Sequence, residues 1–156
     1  MNIPEVRIVQ LEPSRVACFN GFGQIPETIA WGKLQAWARS KGLWEDGKAR
    51  RLFGFNNPNP SCGTPNYGYE AWMAIDKTVQ VDGEARPYDF PGGLYAVLRC
   101  EVKDAYQDIP ASWKQLVIWQ ENSEYEKASH QCLEELLSPL GDGSEFVLDL
   151  FLPISK

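Results

Sequence analysis

Two short stretches decide how this chain is read: Trp31-Gly32-Lys33-Leu34-Gln35-Ala36-Trp37 and, 82 positions later, Trp113-Lys114-Gln115-Leu116-Val117-Ile118-Trp119. Both spell WxxLxxW, a spacing that keeps the three large apolar side chains near one side of a helix. An Ile-Pro dipeptide precedes each, at Ile25-Pro26 and Ile109-Pro110. Proline suits a first helical position, where its missing N–H would have had no intrahelical partner. With Glu27 in the opening turn and Lys41-Gly42 as the stop, the first stretch predicts a helix over 26–42. The second predicts a helix opened by Pro110 and ending near 121. Leu34, Trp37 and Leu116 read as core, whereas Trp113 and Trp119 suit a core or a ligand site equally well.

Outward from these helices, apolar alternation predicts strands at Val6–Val9 and Arg15–Phe19, joined as a hairpin at Glu12-Pro13-Ser14. Further strands are predicted at 51–56 and 67–76. The Pro-, Gly- and Asn-rich stretch between them, 57–66, is long for a hairpin turn and of the kind binding sites use. The same order then recurs: a strand pair at about 84–90 and 93–102, turning at Pro91-Gly92-Gly93, followed by the second helix. Tyr69-Glu70-Ala71-Trp72-Met73-Ala74-Ile75 is paralleled 79 positions later by Leu148-Asp149-Leu150-Phe151-Leu152-Pro153-Ile154. Glu121 to Lys127 reads as a solvated helix end and loop. The pattern implies a duplicated β-β-α-β-β unit in one α+β domain over 1–156, with halves of about 1–78 and 79–156. About eight antiparallel strands and two main helices related by a pseudo-twofold axis are expected.

Composition narrows the function. A chain of 156 residues supports its own core, and its net charge of −6 supplies no basic face for a nucleic-acid partner. No apolar run reaches the ~18 residues of a membrane span, and Met1-Asn2-Ile3-Pro4-Glu5 lacks a basic segment followed by an apolar one. A cytoplasmic protein without a membrane partner is expected. Cys18, Cys62, Cys100 and Cys132 match no zinc or CxxC spacing and are read as reduced, mostly packed thiols. His130 is the single histidine and reads as a solvated surface residue, so neither a metal centre nor a cofactor is expected. Six Trp, six Tyr and seven Phe call for either an aromatic core or an aromatic-lined pocket.

The pocket has candidates. Phe53, Phe55, Tyr67, Tyr69 and Trp72 flank the Pro-rich stretch, and Tyr95 follows Pro91-Gly92-Gly93. Strand alternation places Tyr67, Tyr69 and Ala71 on one face and Glu70 with Trp72 on the other, leaving open which face meets the helices. Glu70 lies in an otherwise apolar strand and is a candidate functional carboxylate; an exposed strand face is the alternative. A flat cation is held by aromatic faces, at roughly 0.5–2 kcal/mol each, around one partly desolvated carboxylate.

The element order, the Pro91-Gly92-Gly93-Leu94-Tyr95-Ala96-Val97 strand start, the paired helix tryptophans and Leu133-Glu134-Glu135-Leu136-Leu137 together resemble the GyrI-like small-molecule-binding domain. That domain occurs alone and as the effector-binding part of AraC-type and multidrug-responsive MerR-type transcription regulators. With no residues left over for a helix-turn-helix, the chain resembles the stand-alone bacterial form. The resemblance implies a curved antiparallel sheet, an aromatic cleft where the halves meet, and a buried carboxylate in a Phe-Glu-x-Tyr motif. Glu134 takes that carboxylate position, with Leu133 and Leu136 at the aromatic ones. The ligand site then comprises Glu134, Glu70, Trp72, Phe55, Tyr67, Tyr95, Trp113 and Trp119. Binding of hydrophobic, often cationic, small molecules for sensing, sequestration or resistance is the leading expectation. The family also contains hydrolases that open cyclopropane rings of DNA-alkylating natural products, for which Glu134 would be the catalytic residue. Its namesake inhibits DNA gyrase, which would require a protein partner.

Overall fold

The computed structural model describes residues 5–46, 50–57, 59, 63, 65–137 and 145–156. Its elements are β1 (Val6–Leu11), β2 (Ser14–Gly23), α1 (Pro26–Ser40), β3 (Leu52–Asn56), β4 (Tyr67–Ile75), β5 (Arg86–Phe90), β6 (Gly93–Val102), α2 (Ala105–Glu121), β7 (Glu126–Lys127), β8 (Leu133–Leu136) and β9 (Phe146–Ser155). Among the described residues this is an α+β fold of two helices and nine strands, and every pairing within the two compact units is antiparallel. One unit is Ser14–Phe90; the other combines Met1–Pro13 with Pro91–Lys156.

Within Ser14–Phe90 the strand order is β3-β4-β2-β5, with α1 on one face. The other unit has the order β8-β9-β6-β1, with β7 added to β9 and α2 on one face. The internal repeat extends to register. Cys18 pairs with Trp72 and Val97 with Phe151, each residue 79 positions from its counterpart.

The hairpins expected at 12–14 and 91–93 do not form, because the strands on either side of each bend pair elsewhere. β1 precedes β2 but pairs with β6, Leu11 opposite Gly93; β5 precedes β6 but pairs with β2, Phe90 opposite Ser14. The edge strands are exchanged between the two repeats. Gly92 makes one of these links possible: its φ is +77°, and a Cβ there would lie 2.2 Å from the Leu11 carbonyl oxygen.

Helix packing decides the faces that alternation left open. Ala30, Leu34, Trp37 and Ala38 of α1 bury against Ala17, Phe19, Tyr69, Ala71 and Met73. The face carrying Glu70 and Trp72 therefore looks away from the helix. Close approach of α1 depends on Gly21, where a Cβ would sit 2.3 Å from the Pro26 carbonyl oxygen. In the other unit Leu116 packs on Ala96, Leu98, Leu150 and Leu152, flanked by partly buried Trp113 and Trp119.

Two local expectations are corrected. Helix α1 starts at Pro26 as expected, but α2 starts at Ala105, with Pro110 inside it. The cap explains the earlier start. Asp104 accepts from the Tyr106 N–H, and Asp108 reaches back to the N–H groups of Lys103 and Asp104. These bonds hold the Asp108 carboxyl below its ordinary range. Strand β7 forms where a solvated loop was expected, because Glu126 and Lys127 pair with Ser155 and Ile154.

Candidate functional site

On the face of Ser14–Phe90 turned from α1, the even-numbered residues of β2, β4 and β5 meet the odd-numbered residues of β3. Glu70 is opposite Phe55 and Asn20; Trp72 is opposite Phe53 and Cys18. The Trp72 indole is the hub. Its ring centroid lies 5.0 Å from Phe55 in an edge-on contact, and 5.4 Å from each of Tyr88 and Phe90. These spacings are those of favourable aromatic pairs. Phe53, Phe55, Trp72 and Phe90 are buried, while Tyr88 is 45% exposed at the β5 edge.

Glu70 sits beside Trp72 and opposite Phe55, with its residue only 9% exposed. One carboxylate oxygen accepts from the Trp72 indole N–H at 3.0 Å, the other from the Asn57 amide at 3.2 Å. Arg86 stands 3.7 Å from the first oxygen, with its side chain 61% exposed, and donates at 2.6 Å to the Asn20 side-chain oxygen. Cys18 lies beside the carboxylate. Burial, with the Glu70 charge adding to it, pushes the Cys18 thiol up to about 12, so it is a packed thiol and not a nucleophile. Burial likewise raises Cys100 and Cys132; Cys62 lies outside the described residues.

The equivalent face of the other unit has a different chemistry. Asp149 occupies the register position of Glu70 and is held by Arg7 at 2.6 Å and Arg99 at 3.0 Å. Burial would raise the Asp149 carboxyl, but hydrogen bonds from Arg99 and Arg7 outweigh it and bring the group below its ordinary range. Buried Glu135 lies opposite Asp149 on β8. Further along this face, fully buried Tyr95 donates to the Gln131 carbonyl at 2.6 Å and packs edge-on against Phe151 and His130. His130 is therefore not the solvated residue expected. Its Nε2 lies 2.8 Å from the Leu94 carbonyl oxygen, and its ring covers Gly93, where a Cβ would meet it at 2.7 Å.

The sequence-derived site residues fall into several groups. Glu70, Trp72 and Phe55 come together as described. Tyr67 projects to the α1 face and its hydroxyl donates to Glu27 at 2.7 Å. Glu134 lies on the α2 face, where the Trp113 indole N–H reaches it at 3.3 Å. Trp119 stacks on Tyr125 with centroids 6.2 Å apart. Sequence reasoning missed Asn57 and Arg86 as neighbours of Glu70, and Tyr88 and Phe90 as neighbours of Trp72. Alternation along β5 could have grouped Arg86, Tyr88 and Phe90, but only the pairing of β5 with β2 brings them to Glu70 and Trp72.

A family profile described as the GyrI-like small molecule binding domain matches residues 4–155. This chain belongs to that family. No curated protein sequence matches the GyrI-like chain. Among solved structures it is similar to EcmrR in a DNA complex, at 13% identity and a TM-score of 0.71. That likeness covers 100% of this chain and 59% of the EcmrR chain, so the GyrI-like domain spans somewhat over half of that regulator. A hydrolase from Listeria innocua matches at 12% identity and a TM-score of 0.66, over 99% of this chain and 94% of that one. SAV2435 bound to tetraphenylphosphonium matches at 12% identity and a TM-score of 0.59, over 97% and 94% of the two chains. At these identities the likenesses speak for a shared fold. Among the described residues no helix is long and apolar enough to cross a membrane.

Proposed function

We propose that this GyrI-like domain binds lipophilic small molecules, cations among them, on the aromatic face around Glu70. The observation that carries this reading is one carboxylate, 9% exposed, opposite Phe55 and hydrogen-bonded by an amide and by the Trp72 indole, whose ring packs in turn against Phe55, Tyr88 and Phe90. Aromatic rings supply apolar area and quadrupole attraction, and the carboxylate adds a charge in a medium that screens it less than water does. Exposed Tyr88 and Arg86 make the β5 edge the side of access. The bound tetraphenylphosphonium of SAV2435 supports such a cation as the first probe. Sensing, sequestration or resistance in the cytoplasm would each follow from binding alone, without a cofactor.

Titration calorimetry with tetraphenylphosphonium tests the reading. Binding in the micromolar range is expected, with Glu70→Gln weakening it by about 1–3 kcal/mol through loss of the charged partner. Glu134→Gln serves as the competing assignment. Its hydrogen bond from Trp113 makes a second carboxylate–indole pair. Weakening by Glu134→Gln with Glu70→Gln unchanged would move the site to that pair.

A further inference from the structure

Glu70 carries its own counter-ion. Arg86 reaches within 3.7 Å of the carboxylate from the edge strand, yet its side chain is 61% exposed while that of Glu70 is 12% exposed. The 2.6 Å bond to Asn20 fixes the guanidinium at this spot. Tyr88, on the same face of β5, packs on Trp72. An incoming ligand thus meets an aromatic platform with a buried negative charge and, next to it, a solvent-facing positive one that still has N–H donors to offer.

We propose that Arg86 sets the ligand class of this site: aromatic zwitterions, with an anionic group beside the cationic one, are preferred over simple lipophilic cations of the same shape. The inference rests on the binding reading above. A bare cation must approach Glu70 against the Arg86 charge or displace it, whereas a zwitterion satisfies the carboxylate with one group and the guanidinium with the other. Arg suits this second role because its planar fork recognises carboxylates in two-point fashion. An exposed ion pair of this length contributes little stability, so a ligand's anionic group can compete with Glu70 for the guanidinium where it stands.

Tetramethylrhodamine and its methyl ester separate these cases, since they share one cationic dye body and differ in whether a free carboxylate is present. Fluorescence anisotropy of the intact chain should give the free acid a higher affinity than the ester. In Arg86→Gln the ester should gain relative to the acid by about 5- to 20-fold, as expected for removing one charge ~5 Å away in a partly screened setting. Arg86→Lys should retain most of the original ratio, and 0.5 M salt should narrow the difference between the original protein and Arg86→Gln, as screening reaches these exposed charges. Circular dichroism establishes that each variant is folded. Binding of both dyes with a ratio that stays within twofold in Arg86→Gln would overturn the role of Arg86 and leave the site intact. Failure of either dye to bind at 100 µM, in the original protein and in Arg86→Gln, would overturn the site reading and this inference together.

Discussion

The sheet faces turned from α1 and α2 share one register and differ in how they treat an acid at the same place. Asp149 is neutralised by two guanidiniums, from Arg7 on the edge strand and Arg99 on the neighbouring one. Glu70 meets Arg86 at the position equivalent to Arg7, but at 3.7 Å, and Asn20 stands where Arg99 would be. Phe55 takes the place held by Glu135. One face carries an ion network in which two half-exposed arginines hold Asp149 at hydrogen-bond distance across three strands, suited to holding them together. The other is a carboxylate with aromatic walls and one exposed counter-ion, suited to receiving something else. The two sheets share a 79-residue offset in register, and only a few side chains make their outer faces chemically different.

The comparison breaks most visibly in stability. Asp149→Asn should destabilise the protein by about 1–3 kcal/mol, since Arg7 and Arg99 lose a nearly buried charged acceptor. Glu70→Gln should cost less than about 1 kcal/mol, because its ion pair is long and its arginine exposed. Urea unfolding of both variants checks this, and equal losses would remove the distinction. A smaller effect comes from turning one face into the other. Asn20→Arg restores the second guanidinium and should weaken tetraphenylphosphonium binding by about tenfold, or about 1.4 kcal/mol, with unchanged affinity counting against Glu70 as the cation's partner.

Acid dependence sharpens the same contrast more gently. The Asp149 carboxyl is lowered in the folded state, so its stabilisation is present above the unfolded value near 4 and is lost as pH falls through the lower folded value. The acid side of the stability profile should be shallower in Asp149→Asn than in the original protein, as measured by thermal melting from pH 6 to pH 2.5. The smallest expected effect is none at all: a cyclopropane-bearing alkylator incubated with the protein should yield ring-opened product no faster than in buffer, by mass spectrometry. Multiple turnovers that vanish in Glu134→Gln would instead make hydrolysis the function.

Much of this was legible in the residues. The WxxLxxW pair located both helices, and alternation placed Glu70 and Trp72 together because strand geometry leaves no other choice. What stayed hidden depends on pairing at long range. Nothing local in Glu12-Pro13-Ser14 distinguishes a hairpin from a link, so the partners of β1 and β5 were misread, and with them the contribution of Arg86, Tyr88 and Phe90. Pro110 hid the true start of α2 because a proline rule outweighed the weaker Asp104 and Asp108 cap. His130 looked solvated because its neighbours Ser129 and Gln131 are polar, whereas its environment is set by Gly93 and Tyr95, far off in sequence.

The exchanged edge strands also bear on how the chain is made. During synthesis β1 emerges before the other described strands, yet its partner β6 begins at Gly93 and follows some eighty residues later. Ser14–Phe90, by contrast, contains β2, β3, β4, β5 and α1 in one continuous run, with β2, β3, β4 and β5 paired among themselves. Vectorial synthesis therefore favours assembly of this middle segment first, while β1 stays unpaired until β6, about three-fifths of the way along the sequence, arrives. The charged residues of β1 and its flank, Glu5 and Arg7, keep that waiting strand from being an uninterrupted apolar edge open to other chains.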